Sequence, residues 1–120
     1  MSLKLISIDM KEEYDESPDL SYLEQFKDSK DPEEMKYAKQ DKSRLDSYYN
    51  DEWCMLGIRA IATIRINGIL QTVSSRGLWG IESDSGDDYK QEVFEEEKID
   101  LFDQLREIGF SEESIKEASN

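Results

Sequence analysis

Between Trp53 and Ile81 the chain carries no acidic residue, and all 29 of its Asp and Glu residues lie outside that block. The only charges within it are Arg59, Arg65 and Arg76. Residues 1–52 hold 15 acids against 8 bases, and residues 82–120 hold 14 against 4. An apolar, mildly basic block between two acidic arms reads as a β core inside a solvated negative shell. Asn67-Gly68 sits at its middle and is the dipeptide that a two-residue type I′ turn requires, because both positions need positive φ. Counting outward from that turn pairs Ile66 with Ile69, Ile64 with Gln71, Ala62 with Val73 and Ala60 with Ser75. With Leu56 and Ile58 these make one nearly apolar face. The other face carries Arg59, Ile61, Thr63 and Arg65 opposite Arg76, Ser74, Thr72 and Leu70. A strict period of two fixes such a register, since a slip of one residue turns every side chain over.

The arms are predicted to be mainly helical. Leu3–Ile8 reads as a short, edge-type strand, and residues 9–19 as an acidic loop marked by Ser17-Pro18. Leu20, Leu23 and Phe26 recur at helical spacing. Asp31-Pro32-Glu33-Glu34 marks a helix start, with Asp31 as N-cap, Pro32 in the first helical position and Glu34 reaching back in a capping box. That helix runs to about Tyr49 with a thin apolar face of Ala38, Leu45 and Tyr48. After the core, Ser85, Asp87 and Asp88 suit a helix N-terminus. Val93, Phe94, Ile99, Leu101, Phe102, Leu105 and Ile108 give its apolar stripe, with a break expected near Glu96–Lys98. Gly109 stands where a left-handed C-cap residue belongs, with Phe110 folding back on Leu105. Ser111-Glu112-Glu113 opens a last short helix. The fold class is therefore α+β: a small antiparallel sheet of two to four strands on a central hairpin (about 53–83), packed by C-terminal helices and a helical N-terminal arm. The length suits one domain, 1–120, with residues 9–31 expected to order loosely.

Composition narrows the chemistry. There is no histidine, which removes His-based acid–base catalysis, His-activated nucleophiles and most transition-metal sites. Cys54 is the single cysteine and has no partner for an internal disulfide, which fits a reducing, cytoplasmic setting. The start of the chain has neither the basic nor the apolar region of a signal peptide, and no apolar run reaches membrane-spanning length. The net charge of −14 opposes direct nucleic-acid binding, which depends on Lys and Arg displacing counterions. It favours a basic protein partner or simple solubility. No cofactor is expected.

Three groups of residues invite a site. Glu82, Asp84, Asp87 and Asp88 crowd a strand-to-helix junction as weak divalent-cation candidates; the simpler reading caps the helix and pairs Glu82 with an arginine. The spacing after Asp84 is wrong for an EF-hand loop. Arg59 and Arg76 face each other in the predicted register, with Arg65 on the same face. Opposed like charges need a negative partner, either an internal acid such as Glu82 or an external anion. Trp79 lies between two glycines and is expected in the core, with exposure as a partner anchor the alternative. Trp53, near Tyr48 and Tyr49, is the second such aromatic candidate.

The string Ser75-Arg76-Gly77-Leu78-Trp79-Gly80-Ile81-Glu82-Ser83-Asp84-Ser85, followed by Tyr89 and Glu92-Val93, resembles a family of uncharacterised small bacterial and phage-associated proteins with no assigned activity. The resemblance covers the C-terminal half and implies kinship and a mobile-element flavour, without a mechanism. The expected function is a non-catalytic protein–protein interaction or regulatory module with an unknown partner. One alternative is an acidic DNA mimic that occupies a DNA-binding protein. Another is a divalent-cation-dependent enzyme using Glu82 and Asp84.

Overall fold

The computed structural model describes residues 2–119. Its elements are β1 (Leu3–Tyr14), α1 (Pro32–Tyr49), β2 (Met55–Ile66), β3 (Ile69–Ser74), β4 (Leu78–Glu82), α2 (Asp87–Ile108) and α3 (Glu112–Ala118), with a 3₁₀ turn at Ser21–Leu23. The class is α+β, with a four-stranded antiparallel sheet and three α-helices among the described residues. The hairpin register is the predicted one: Ile66 opposes Ile69, Ile64 opposes Gln71 and Ala62 opposes Val73. Asn67 and Gly68 turn the chain at φ 50 and 86. A Cβ at Gly68 would meet nothing within 4 Å, so only backbone strain resists a larger residue there.

The strand β1 is twice the length expected. The acidic residues 9–14, predicted as loop, continue it to the end of β2, with Met10 opposite Ala60 and Tyr14 opposite Leu56. The uniformly long β2 supplies the hydrogen-bonding template, and alternation puts Asp9, Lys11 and Glu13 on the outer face of the sheet. Residues 15–31 hold only the 3₁₀ turn, but Leu23 within them is buried. A bulge between Leu5 and Ser7 offsets the early register.

The second edge of β2 is shared. β3 occupies the Ile61–Ile66 half, and β4 occupies the Met55–Ile58 half. Between them the Ser75 N–H still donates to the Ala60 carbonyl at 2.9 Å, Arg76-Gly77 leaves the ladder, and α2 supplies partners at the break. Glu97 Oε1 accepts from Ser75 Oγ at 2.9 Å and from the Gly77 N–H at 2.6 Å. Asp100 accepts the Arg76 N–H at 2.9 Å, and Gln104 donates to the Ser74 carbonyl at 3.0 Å. Ser75 is buried, and its hydroxyl also accepts the Ala60 N–H at 2.9 Å. A relay from Ala60 through Ser75 to Glu97 therefore ties sheet to helix.

The inner face of β2 builds the core. Ala60, Ala62 and Ile64 pack against Leu101, Leu105, Phe110 and Ile115, and Ile58 with Ile81 packs against Val93. α2 is continuous through Glu96–Lys98, where a break was predicted. Its charged residues there have partners: Glu97 enters the relay, and Lys98 pairs with Glu95 at 2.9 Å over the Phe94 ring. Its start also differs, because Gly86 occupies the N-cap position and Ser85 does not. Asp87 and Asp88 do lie in the first turn. At the other end Gly109 takes φ 121 and the Phe110 N–H donates to the Leu105 carbonyl, the Schellman arrangement. α3 starts from Ser111 as N-cap.

α1 starts as predicted, with Asp31 accepting the Glu33 N–H. Glu34 does not close a capping box, because the Ser29 hydroxyl takes the Asp31 N–H. No residue of α1 is buried. Only Leu45 and Tyr48 join a small cluster of Leu20, Leu23, Trp53 and Met55. The molecule is long, 65 × 23 × 21 Å, with a radius of gyration of 19.6 Å, where a compact chain of this size has about 14 Å. Twelve-residue strands alone span about 40 Å, and α1 about 27 Å. No described helix is long and apolar enough to cross a membrane.

Two stability predictions follow from the turn and the relay. Gly68→Val is expected to cost more than about 1 kcal/mol, because a β-branched residue resists positive φ; an unchanged thermal midpoint would contradict the turn. Glu97→Ala is expected to cost about 1–3 kcal/mol, since it strands the buried Ser75 hydroxyl and the Gly77 N–H at a partly buried junction. Ser75→Ala breaks the same relay, so the double variant should lose clearly less than the sum of the two single losses. Additive losses would show the two to be uncoupled.

Candidate functional site

Three surfaces gather the residues that the sequence singles out. The first lies where α1 meets the end of β4. Arg44, on the last turns of α1, forms a two-pronged ion pair with Asp84, at 2.8 Å from Nη1 and 2.6 Å from Nη2. Its Nε also donates to Glu82 at 3.3 Å, and Tyr22 Oη donates to the same Glu82 oxygen at 3.0 Å. The guanidinium stacks 3.8 Å over the Trp53 ring, whose indole N–H donates to the Arg44 carbonyl. Trp53 is 4% exposed, with Tyr48 edge-on to it at 5.3 Å. It is thus a buried support for the arginine and no partner surface.

One cation therefore serves two of the four carboxylates predicted as a weak metal site. Asp87 and Asp88 stand apart as exposed residues of the α2 first turn. Among the described residues no group of three or more Asp, Glu, Cys or His side chains converges to hold a metal. The arrangement tethers the C-terminal turns of α1 to the end of β4 and the residues after it, with a guanidinium fork matched to a carboxylate. Glu82, predicted as the partner of Arg59 and Arg76, is taken by Arg44. Sequence reasoning gave Arg44 no role, since it stands among lysines on a polar helix.

The second surface is the outer face of the sheet, opposite the one on which α2 and α3 pack. Arg59 and Arg76 do not oppose each other there: the β2–β3 ladder ends at Ile61–Ser74, and Arg76 lies in the break. Arg59 instead opposes Lys11 of β1. The expected negative partner exists as Glu13, whose Oε1 lies 3.5 Å from Arg59 Nε and 3.7 Å from Lys11 Nζ. It was missed because residues 9–14 were read as loop. Arg65 is exposed, opposite Lys4 and Leu70. Trp79, expected in the core, is 41% exposed and lies across Gly57 on this outer face. A Cβ at Gly57 would come within 2.5 Å of the indole, so the missing side chain is what seats the ring. Arg59 lies 5.3 Å from the Trp79 ring centroid.

The third surface was not foreseen. The Leu23–Ser29 segment and α1 line an open groove of about 650 Å³. Leu23, Phe26, Pro32, Met35, Ala38 and Leu45 supply its apolar lining. Phe26 is steadied by Tyr37, ring centroids 6.1 Å apart. Met35 remains 52% exposed. The sequence signal was present in the spacing Pro32, Met35, Ala38, Leu45, a stripe covered only at its Leu45 end.

The Arg44 site generates a pH prediction. Hydrogen bonding to Arg44 holds the Asp84 carboxyl below its ordinary value. A depressed acid stabilises the fold above the unfolded value of about 3.9, and that contribution is lost as pH falls through the lower folded value. Asp84→Asn should therefore melt below wild type at pH 7 and converge with it in strong acid, with the difference small because the pair is partly exposed. A pH-independent gap between the two midpoints would refute the linkage. Burial and the bond to Glu82 push the Tyr22 phenol upward, so its contribution fades only in strong alkali.

Compared with family models, curated proteins and solved structures, the chain has no match.

Proposed function

We propose that this chain is a non-catalytic protein–protein interaction module that receives its partner in the groove between the Leu23–Ser29 segment and α1. The observation that carries the reading is an 18-residue helix without one buried residue, bordering an apolar groove of about 650 Å³. Helices in proteins owe most of their stability to packing of an apolar face. An apolar stripe left open on such a helix has binding energy to give, and a second helix laid in a groove is a common way of collecting it.

The alternatives have weaker support. A cation-dependent enzyme would need Glu82 and Asp84 free to meet a third acid, and Arg44 occupies both. A DNA mimic would need unbroken rows of carboxylates. On α2 the acids are interrupted by Lys90, Lys98 and Arg106, each ion-paired with a carboxylate, which is the pattern of a mixed solvated face. Kinship with the phage-associated family remains part of this proposal and adds no chemistry to it.

The test is site-specific photo-crosslinking in cells that natively encode the chain. A benzophenone side chain at position 35 should yield one discrete protein adduct, lost on Phe26→Asp. The same probe at position 117, on α3, should not yield that adduct. Equal labelling from both positions would overturn the reading.

A further inference from the structure

Resting on that reading, we propose that the segment the groove accepts is an acidic amphipathic helix, drawn by lysines that α1 turns toward it. The chain has a net charge of −14, yet the charged residues lining the groove are Glu24, Lys27, Lys36, Lys39 and Lys42. All three lysines of α1 are among them, and none of its acids, Glu33, Glu34, Asp41 and Asp46, is. Lys27 is paired with Glu24 at 3.8 Å, so the groove's one acid is already answered from within. Lys36, Lys39 and Lys42 make no ion pair among the described residues.

The spacing of these lysines is that of one helix edge. Residues three apart neighbour each other along a helix, about 4.5 Å up the axis. From Pro32 to Leu45 the groove follows α1 for about 20 Å, room for roughly three and a half turns of a second helix. A partner with apolar residues at i, i+3 or i+4, and i+7 would fill the floor. Carboxylates flanking that stripe would then reach Lys36, Lys39 and Lys42. Acids far from the groove do not cancel this attraction, because exposed charges beyond about 8–10 Å are largely screened at physiological ionic strength, and the nearer acids of α1 do not line the groove. A nucleic-acid strand would leave the apolar floor unfilled, and a bilayer surface does not enter a concave groove.

The experiment displays a library of helix-favouring peptides, random at every outward position and neutral on average, and selects on the full chain at physiological salt. A surface of −14 would by itself enrich basic peptides, so the expected outcome runs against the bulk charge. Acidic peptides with an i, i+3/i+4, i+7 apolar stripe should be enriched. Their affinity should fall tenfold or more in the triple variant Lys36→Gln, Lys39→Gln, Lys42→Gln, and likewise in Met35→Glu. These positions are exposed, and circular dichroism of each variant checks that α1 persists. Peptides sensitive to Met35→Glu but neutral or basic, or indifferent to the triple variant, would overturn the acidic partner and leave the groove reading standing. Selected peptides indifferent to Met35→Glu, or no enrichment at all, would overturn both. Concentration-dependent self-association abolished by Met35→Glu would make the occupant a second copy and overturn this proposal alone.

Discussion

One carboxylate, Glu97, holds together the two halves of the sheet's second edge. A β-strand that stops and restarts must find partners for the backbone groups at its break, since buried unpaired amides are costly. Here the Gly77 N–H goes to Glu97, the Arg76 N–H to Asp100, and the buried Ser75 hydroxyl hands the Ala60 N–H on to Glu97. Because the break is satisfied, β4 can lie against the far half of β2, with Trp79 over Gly57 and Ile81 beneath α2. The helix that supplies these groups begins five residues after β4 ends, so strand, junction and helix fix one another.

The N-terminal arm is held differently. α1 contributes no buried side chain, and its firmest attachment is one guanidinium shared between Asp84, Glu82 and the Trp53 face. Exposed ion pairs are individually weak; this one gains from its two-pronged geometry and from the stacked indole. Opening of α1 should therefore cost much less than opening of the strand pair, and amide exchange should be faster along it.

What the sequence made legible was local. The hairpin register, the Asn67-Gly68 turn, the start of α1 and the Gly109 cap each rest on residues a few positions apart, with strong conformational rules. What it hid was long-range. Residues 9–14 offer only Met10 and Tyr14 as apolar positions, with Glu12 breaking the alternation between them, so only the length of β2 shows that they pair. Glu13 and Glu97 look like any other carboxylates in a chain with 29 until topology puts one between Lys11 and Arg59 and the other at the break. Arg59 and Arg76 were paired by extending a ladder past its end. The physics asked for there, a negative group between opposed cations, was right, but its residues were not. The groove was visible only as an unexplained apolar stripe on α1.

The outer edge of β1 has a consequence for behaviour at high concentration. Among the described residues the twelve of this strand pair on the β2 side alone within the sheet, so the other side is an edge with backbone donors and acceptors to offer a passing chain. Five of those twelve residues, Lys4, Asp9, Lys11, Glu12 and Glu13, are charged, and the bulge at Ile6 bends the run. Both are devices by which natural sheets refuse intermolecular growth. The charge that hides this strand from sequence reading is thus also a guard on its open edge.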